Sequence, residues 1–266
     1  MPTRVTVLGG SAAAPNPGQP CSGYLVETDH TRLLLDCGPG VLPTLRQFAD
    51  FRSLDAVLIS HTHADHTIDL VPFRYALRHA PGARGPRIPL FLPPGGEGFL
   101  KRVALAFASR DEDADGFFRD VFAVSEYATD ATVMIGDTRV TFRPTRHSVP
   151  CWAMVVNTDD GGIVYLADTG PMDELVGYAQ HADLLIAEGT YLEYGDCVPV
   201  SEQIHLTAAD AGRIAAASGA GELLLTHLWW ENDLERCRIE AEATYGGPLT
   251  VARPGVRLTI EQGTGE

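Results

Sequence analysis

Short apolar runs alternate with polar breaks along the whole chain. The runs at 4–8, 23–27, 32–36, 56–60, 88–92, 139–143, 153–157, 163–167, 184–187, 223–226 and 256–260 are mostly rich in Val, Ile and Leu. They are bounded by Gly, Pro or Asp, the pattern of buried strands. Between some of them, apolar positions recur at helical spacing in 41–51, 70–78, 98–108, 172–181, 208–218 and 234–245. One helix start is well marked: Thr207 can cap 208–218, and Asp210 completes a capping-box-like pattern. Strands come first, then strands mixed with helices, in two halves. This order predicts an α/β fold with sheets buried against outer helices. No tandem repeat or low-complexity linker appears, so a single domain over 1–266 is expected. Stretches 95–115 and 191–203 read as loop-rich insertions. The acidic cluster Asp111, Glu112, Asp113 and Asp115 has no histidine near it and reads as a solvated face.

Composition adds two exclusions. Of 266 residues, 45% are hydrophobic and 21% charged, enough apolar material for a sizeable core. The formal net charge is −15, and Lys101 is the only lysine. Polyanion binding is driven largely by Lys and Arg displacing counterions, so a nucleic-acid polymer is not the expected partner and a small-molecule substrate is. No apolar run approaches the ~20 residues a membrane helix needs, so no membrane partner is expected. The N-terminus has no charged segment followed by an apolar one, so no signal peptide is expected. Cys21, Cys37, Cys151, Cys197 and Cys237 are odd in number and scattered, which suits reduced thiols in a cytoplasmic protein. The assembly state stays open, with a homodimer among the alternatives.

The decisive segment is Ser60-His61-Thr62-His63-Ala64-Asp65-His66, which follows the apolar run Ala56-Val57-Leu58-Ile59. Three histidines and a carboxylate so close together are poor core filling, because each would need a buried partner. Imidazole and carboxylate suit Zn²⁺ or a similar divalent ion. Alternation puts His61 and His63 on one side of an extended chain, and the following turn aims Asp65 and His66 at a second nearby point. One short loop can therefore serve two adjacent metals. Further ligands belong at strand ends, where loops converge on a rigid sheet. His147, Asp168 and His227 each follow a strand-like run. His30, His79 and His181 are left over and read as surface residues.

At these residues the sequence resembles the metallo-β-lactamase superfamily over nearly its whole length. The resemblance includes Leu33-Leu34-Leu35-Asp36-Cys37-Gly38, whose Asp36 matches an acid beneath the metal loop. It implies the αββα fold, two mixed sheets between outer helices. It also implies two divalent ions, most simply Zn²⁺ with Mn or Fe as alternatives. One would be held by His61, His63 and His147, the other by Asp65, His66 and His227, with Asp168 bridging them. Asp168 stands where many β-lactamases use cysteine, which disfavours that activity. The cage itself serves esters, thioesters, lactones and phosphodiesters alike.

Ala187-Glu188-Gly189-Thr190-Tyr191 and His205-Leu206-Thr207-Ala208 resemble the tRNase Z and phosphodiesterase branch, where the glutamate and histidine pair beside the metals. Leu8-Gly9-Gly10-Ser11-Ala12-Ala13-Ala14-Pro15 is similar to that branch's first turn. The tRNase Z enzymes usually carry a tRNA-gripping arm between the third histidine and the bridging aspartate. Here that interval holds only the runs 153–157 and 163–167 and a turn at 159–162. The chain is therefore more similar to armless bacterial phosphodiesterases, including atypical class II cyclic-nucleotide phosphodiesterases. The shared stretches are Ser22-Gly23-Tyr24-Leu25, Asp65-His66-Thr67-Ile68-Asp69-Leu70 and Glu222-Leu223-Leu224-Leu225-Thr226-His227.

The expected reaction is hydrolysis of a small phosphodiester, a cyclic nucleotide above all, by a metal-bridging hydroxide. Asp65 would bind metal and accept the nucleophile's proton. His205, held and kept protonated by Glu188, would protonate the leaving oxygen. Trp229 or Tyr191 could stack on a base or simply pack at the rim. The alternatives are a carboxylic ester, lactone or thioester hydrolase on the same metals, a tRNA 3′ endonuclease, and a non-catalytic metal-binding module.

Overall fold

The computed structural model describes residues 2–82, 85–108, 110, 113–193 and 198–260. Among the described residues, fourteen strands form two seven-stranded sheets. The first half of the chain supplies β1 (Thr3–Gly9), β2 (Gly23–Glu27), β3 (Arg32–Leu35), β4 (Ala56–Leu58), β5 (Ile88–Leu92) and β6 (Phe122–Glu126). The second supplies β7 (Thr132–Ile135), β8 (Thr138–Thr145), β9 (Cys151–Asn157), β10 (Gly162–Tyr165), β11 (Leu184–Glu188), β12 (Glu222–Thr226) and β13 (Leu249–Val251). The last strand, β14 (Arg257–Ile260), returns to the first sheet. The strand orders are β14-β1-β2-β3-β4-β5-β6 and β13-β12-β11-β10-β9-β8-β7.

Each sheet is buried on both faces, which is why its central strands read as continuous apolar runs. Alternate residues divide between layers. Leu33, Leu35, Ile163, Ile186 and Leu224 fill the space between the sheets. Leu34 and Val57 face outward onto α1 (Val41–Phe48), α3 (Leu70–His79), α4 (Gly96–Phe107) and α5 (Ala114–Arg119), through Leu45, Phe73, Leu100 and Phe117. On the other side, Val164, Leu185, Leu223 and Leu225 pack on α6 (Glu174–Tyr178), α7 (Ala208–Ser218) and α8 (Leu234–Glu242), through Leu175, Ala211, Ala215 and Cys237. The result is the αββα layering expected from the sequence, with each fully buried Leu or Ile contributing ~1.5–3 kcal/mol. The capping box at Thr207 and Asp210 is formed.

The strands absent from the sequence reading, β6, β7 and β13, all lie at sheet edges. An edge strand is half exposed, so its apolar signal is weak: β6 and β7 each bury a single residue. The stretch 95–115 is less loop-rich than expected, and the helix expected at 98–108 forms as α4. Gly95, in the left-handed conformation, opens α4, and Leu100 and Ala104 are buried along its inner face. Asp113 and Asp115 are exposed, while Asp111, Glu112 and Cys197 lie outside the described residues. Within 191–203 the described part holds only a short 3-10 turn, Val200–Glu202. Among the described residues, no helix is long and apolar enough to cross a membrane.

In the first sheet β3 and β4 are parallel; in the second, β10, β11 and β12 are parallel. Their carboxyl ends open onto one rim, the usual place for a site in sheets of this kind.

Candidate metal centre

At that rim the backbone departs from ordinary strand geometry. Asp36 follows β3, Ala167 precedes Asp168, and His227 follows β12. All three have left-handed φ, at 58°, 54° and 53°. A non-glycine residue in that region costs roughly 1–2 kcal/mol. Three such residues at strand ends on one rim indicate that surrounding packing holds the chain in a shape useful to the site. Gly38 adds a close approach: a Cβ there would lie 1.9 Å from the Asp65 carbonyl oxygen, so only glycine lets this turn pass beneath the metal loop. Asp65 and His66 themselves lie on a one-turn helix, α2 (Ala64–Thr67).

The structure brings all seven sequence-predicted ligands together in two groups that share Asp168. In the first, His63 Nδ1 lies 3.1 Å from His61 Nε2 and 3.0 Å from His147 Nε2. Asp168 Oδ2 lies 3.7 Å from His61 Nε2 and 3.6 Å from His147 Nε2. In the second, His66 Nε2 is 3.3 Å from Asp65 Oδ2 and 3.4 Å from Asp168 Oδ1. His227 Nε2 is 3.2 Å from Asp65 Oδ2 and 3.6 Å from Asp168 Oδ2. Four ligands around a tetrahedral ion with bonds of ~2.0–2.1 Å stand about 3.3–3.4 Å apart, so both groups have the size of such a site.

The outer ring nitrogens say which inner atoms carry lone pairs. Asp36 Oδ1 accepts from the Ser60 backbone N–H at 2.7 Å, and its Oδ2 accepts from His66 Nδ1 at 2.7 Å, Ser60 Oγ at 2.8 Å and Tyr165 OH at 2.7 Å. Since Ser60 Oγ donates to Asp36, it accepts from His61 Nδ1 at 3.0 Å. His147 Nδ1 donates to the Ile204 carbonyl at 3.0 Å. These anchors put the proton of each ring on Nδ1 and leave Nε2 of His61, His66 and His147 as bare acceptors facing inward. His66 Nε2 is buried without a hydrogen-bond partner. Bare acceptors turned toward two carboxylates repel one another unless a cation lies among them, so the donor set fits divalent metal.

The ionisation tendencies agree. Burial pushes His61, His63 and His147 below the ordinary imidazole range, keeping them neutral donors of electron pairs. His66 departs from this: burial acts the same way, but the Asp168 and Asp36 carboxylates outweigh it and would put a proton on Nε2 unless another cation stands there. Burial would raise Asp65 and Asp168, yet the facing imidazoles hold both well below the usual carboxylate range.

Beside the cage, His205 Nδ1 donates to Glu188 Oε2 at 2.9 Å and lies 3.9 Å from Asp168 Oδ2. Burial lowers its affinity for a proton, but the Glu188 carboxylate outweighs this and raises it to about 9. Its ring stacks on His227 and meets the edge of Tyr191 at 5.7 Å. Tyr191 is partly exposed at 37%, Trp230 is exposed at 56%, and Trp229 is half-buried. His30, His79 and His181 are exposed and away from the cluster.

Several contributors were not singled out from sequence. Ser60 and Tyr165 hold Asp36; the Ala13 N–H donates to Asp65 Oδ2 at 3.0 Å; the Thr169 N–H donates to Glu188 Oε1 at 2.7 Å. Thr190 touches both Glu188 and His227. Tyr165 looks like core in the sequence, and two of these contacts come from backbone, which carries no sequence signal. Thr190, within the Glu188 motif, was the one within reach.

Two helix-flanked sheets whose strand ends gather this donor set define a metal-dependent hydrolase of the metallo-β-lactamase fold. The chain belongs to the β-lactamase superfamily: residues 31–228 match the Beta-lactamase superfamily domain. It is 32% identical over 256 residues to the probable metallo-hydrolase YhfI of Bacillus subtilis, covering 95% of this chain and 98% of that protein. The crystal structure of YhfI superposes with a TM-score of 0.83 at 30% identity, over 97% of this chain and all of that one. The uncharacterized protein Rv1339 of Mycobacterium tuberculosis is 32% identical over 92% of this chain and 88% of its own length. Ribonuclease Z of Myxococcus xanthus is 28% identical over 97% of each chain.

Proposed function

We propose that this chain is a dinuclear phosphodiesterase acting on a small phosphodiester, with a cyclic nucleotide as the best-fitting substrate. His61, His63 and His147 would hold one ion and Asp65, His66 and His227 the other, with Asp168 shared. Divalent ions so held supply Lewis acidity at a phosphoryl oxygen and a nucleophile at neutral pH. The chain's own residues do the rest. Asp65, oriented by the Ala13 N–H, accepts the nucleophile's proton. His205, its Nδ1–H held by Glu188, protonates the leaving oxygen.

The observation that carries the phosphodiester reading is the His205 ring beside the cage, half-buried, held by buried Glu188 and with its Nδ1 3.9 Å from the shared aspartate. A proton donor so close to the cage serves a leaving alkoxide, which a cyclic nucleotide produces. The ribonuclease Z relative supports phosphodiester chemistry, whereas the charge of −15 and the short segment between His147 and Asp168 disfavour a long polyanion. The test compares leaving groups. His205→Ala should keep its metal and lower turnover of a 3′,5′-cyclic nucleotide by roughly 10²–10⁴-fold, the usual range for a general acid. Bis(p-nitrophenyl) phosphate, whose leaving group scarcely needs a proton, should lose far less. Equal loss on both substrates would make His205 a phosphoryl-binding group instead. No loss on either would favour an ester or lactone hydrolase.

A further inference from the structure

Thr190 lies just beyond β11 and is 2% exposed. Its hydroxyl oxygen touches Glu188 Oε2, His227 Nδ1 at 2.7 Å and the His227 carbonyl oxygen at 3.1 Å. A hydroxyl has one proton to give and two lone pairs to accept with. The ionised carboxylate is the stronger acceptor, so that proton goes to Glu188. The contact with His227 is then possible in one sense only: Nδ1–H donates and Thr190 accepts. His227 is thereby held with its proton on Nδ1 and its lone pair on Nε2, the atom that faces Asp65 and Asp168.

The same carboxylate has two other partners. Its Oε1 takes the Thr169 N–H, one residue after Asp168, and its Oε2 also takes His205 Nδ1–H. We propose that Thr190 is a positioning residue: its hydroxyl sets the tautomer of His227 and ties that ring to the carboxylate that orients His205. One side chain thus couples a ligand of the second ion to the proton donor. Without the hydroxyl, a buried Nδ1–H would lack its acceptor, and the ring could turn its Nε2 away from the cage.

The inference rests on the reading that Asp65, His66, Asp168 and His227 hold a divalent ion, and the experiment separates the two. Zn²⁺ affinities of wild type, Thr190→Val and Thr190→Ser are measured by competition with a chromophoric chelator. Wild type should show two binding events. Thr190→Val, the same shape without the hydroxyl, should weaken one of them by roughly 10–100-fold, the usual effect of losing such a support, and leave the other nearly unchanged. Thr190→Ser should restore it. Wild type without any Zn²⁺ binding would sink the underlying reading. Two wild-type events with an unaltered Thr190→Val would sink the Thr190 proposal alone, as would a folded Thr190→Ser that fails to restore binding. Long-range ¹H–¹⁵N spectra of the wild-type histidines give a check that needs no variant to fold: His227 should carry its proton on Nδ1, and a proton on Nε2 would overturn the proposal.

Discussion

Replacing Asp36 tests whether one buried carboxylate organises both halves of the cage. Asp36 is fully buried, and its oxygens accept four hydrogen bonds, from the Ser60 N–H, Ser60 Oγ, His66 Nδ1 and Tyr165 OH. Through His66 it acts on one candidate metal group, and through Ser60 and His61 on the other. Asp36→Asn keeps the size and suits the left-handed backbone, but an amide has one acceptor oxygen. With that oxygen on the three-donor side, the NH₂ faces the Ser60 N–H, donor against donor. One buried unsatisfied donor costs about 1–3 kcal/mol, and the remaining bonds lose their charge assistance at about 1 kcal/mol each. The sum predicts about 4–6 kcal/mol lost from unfolding in urea, read as a lower midpoint. Asp36→Ala should lose more, since it leaves all four donors without a partner and adds roughly 1–2 kcal/mol of backbone strain. Metal affinity of Asp36→Asn should fall roughly 10–100-fold in both groups, measured by chelator competition. A midpoint within 0.5 kcal/mol of wild type (about the scatter of neutral surface substitutions), together with unchanged metal affinity, would refute the account.

Four further outcomes follow. Elemental analysis of protein prepared without chelator should find about two divalent ions per chain, and Asp168→Ala should lose both, or one together with activity. Neither bound metal nor activation by Zn²⁺ or Mn²⁺ in wild type would count against the whole reading. Precursor tRNA should bind weakly at physiological salt, because the acidic surface releases few counterions; efficient 3′ processing in a gel assay would reverse this. Cys21, Cys37, Cys151 and Cys237 are buried, and burial raises all four thiols, that of Cys21 to about 12. At pH 8 alkylation of these four, followed by mass spectrometry, should wait for unfolding. Because the folded state keeps the Cys21 proton longer than the unfolded chain does, its contribution to stability should fall between about pH 9 and 12.

The layers and the chemistry lay open in the sequence to different depths. A strand buried on both faces must be apolar throughout, so β2 and β5 could be read to their end residues, while the half-exposed edge strands β6, β7 and β13 could not. His61, His63, Asp65 and His66 announce a cation because they crowd one short loop, and no core could satisfy them otherwise. That His147, Asp168 and His227 join this loop was expected from their places after strand-like runs, and their division between two ions from likeness; the convergence itself comes from two sheets whose strand ends share one rim. The backbone's left-handed turns at Asp36, Ala167 and His227 are not visible in residue type, since Asp and His visit that region only as a minority and Ala more rarely still. Tyr165 reads as core and sits in the core, yet its hydroxyl reaches Asp36 across 129 positions of chain. Thr190 reads as an ordinary strand-end threonine until Glu188 and His227 are seen together on its hydroxyl. Local sequence determined which segments are buried and which residues can bind metal, because burial and ligand type are properties of single residues and their near neighbours. The tertiary structure alone decided which nitrogen of each imidazole faces inward. That depends on acceptors such as Asp36, Ile204 and Thr190, some of which only the packing of the sheets brings into reach.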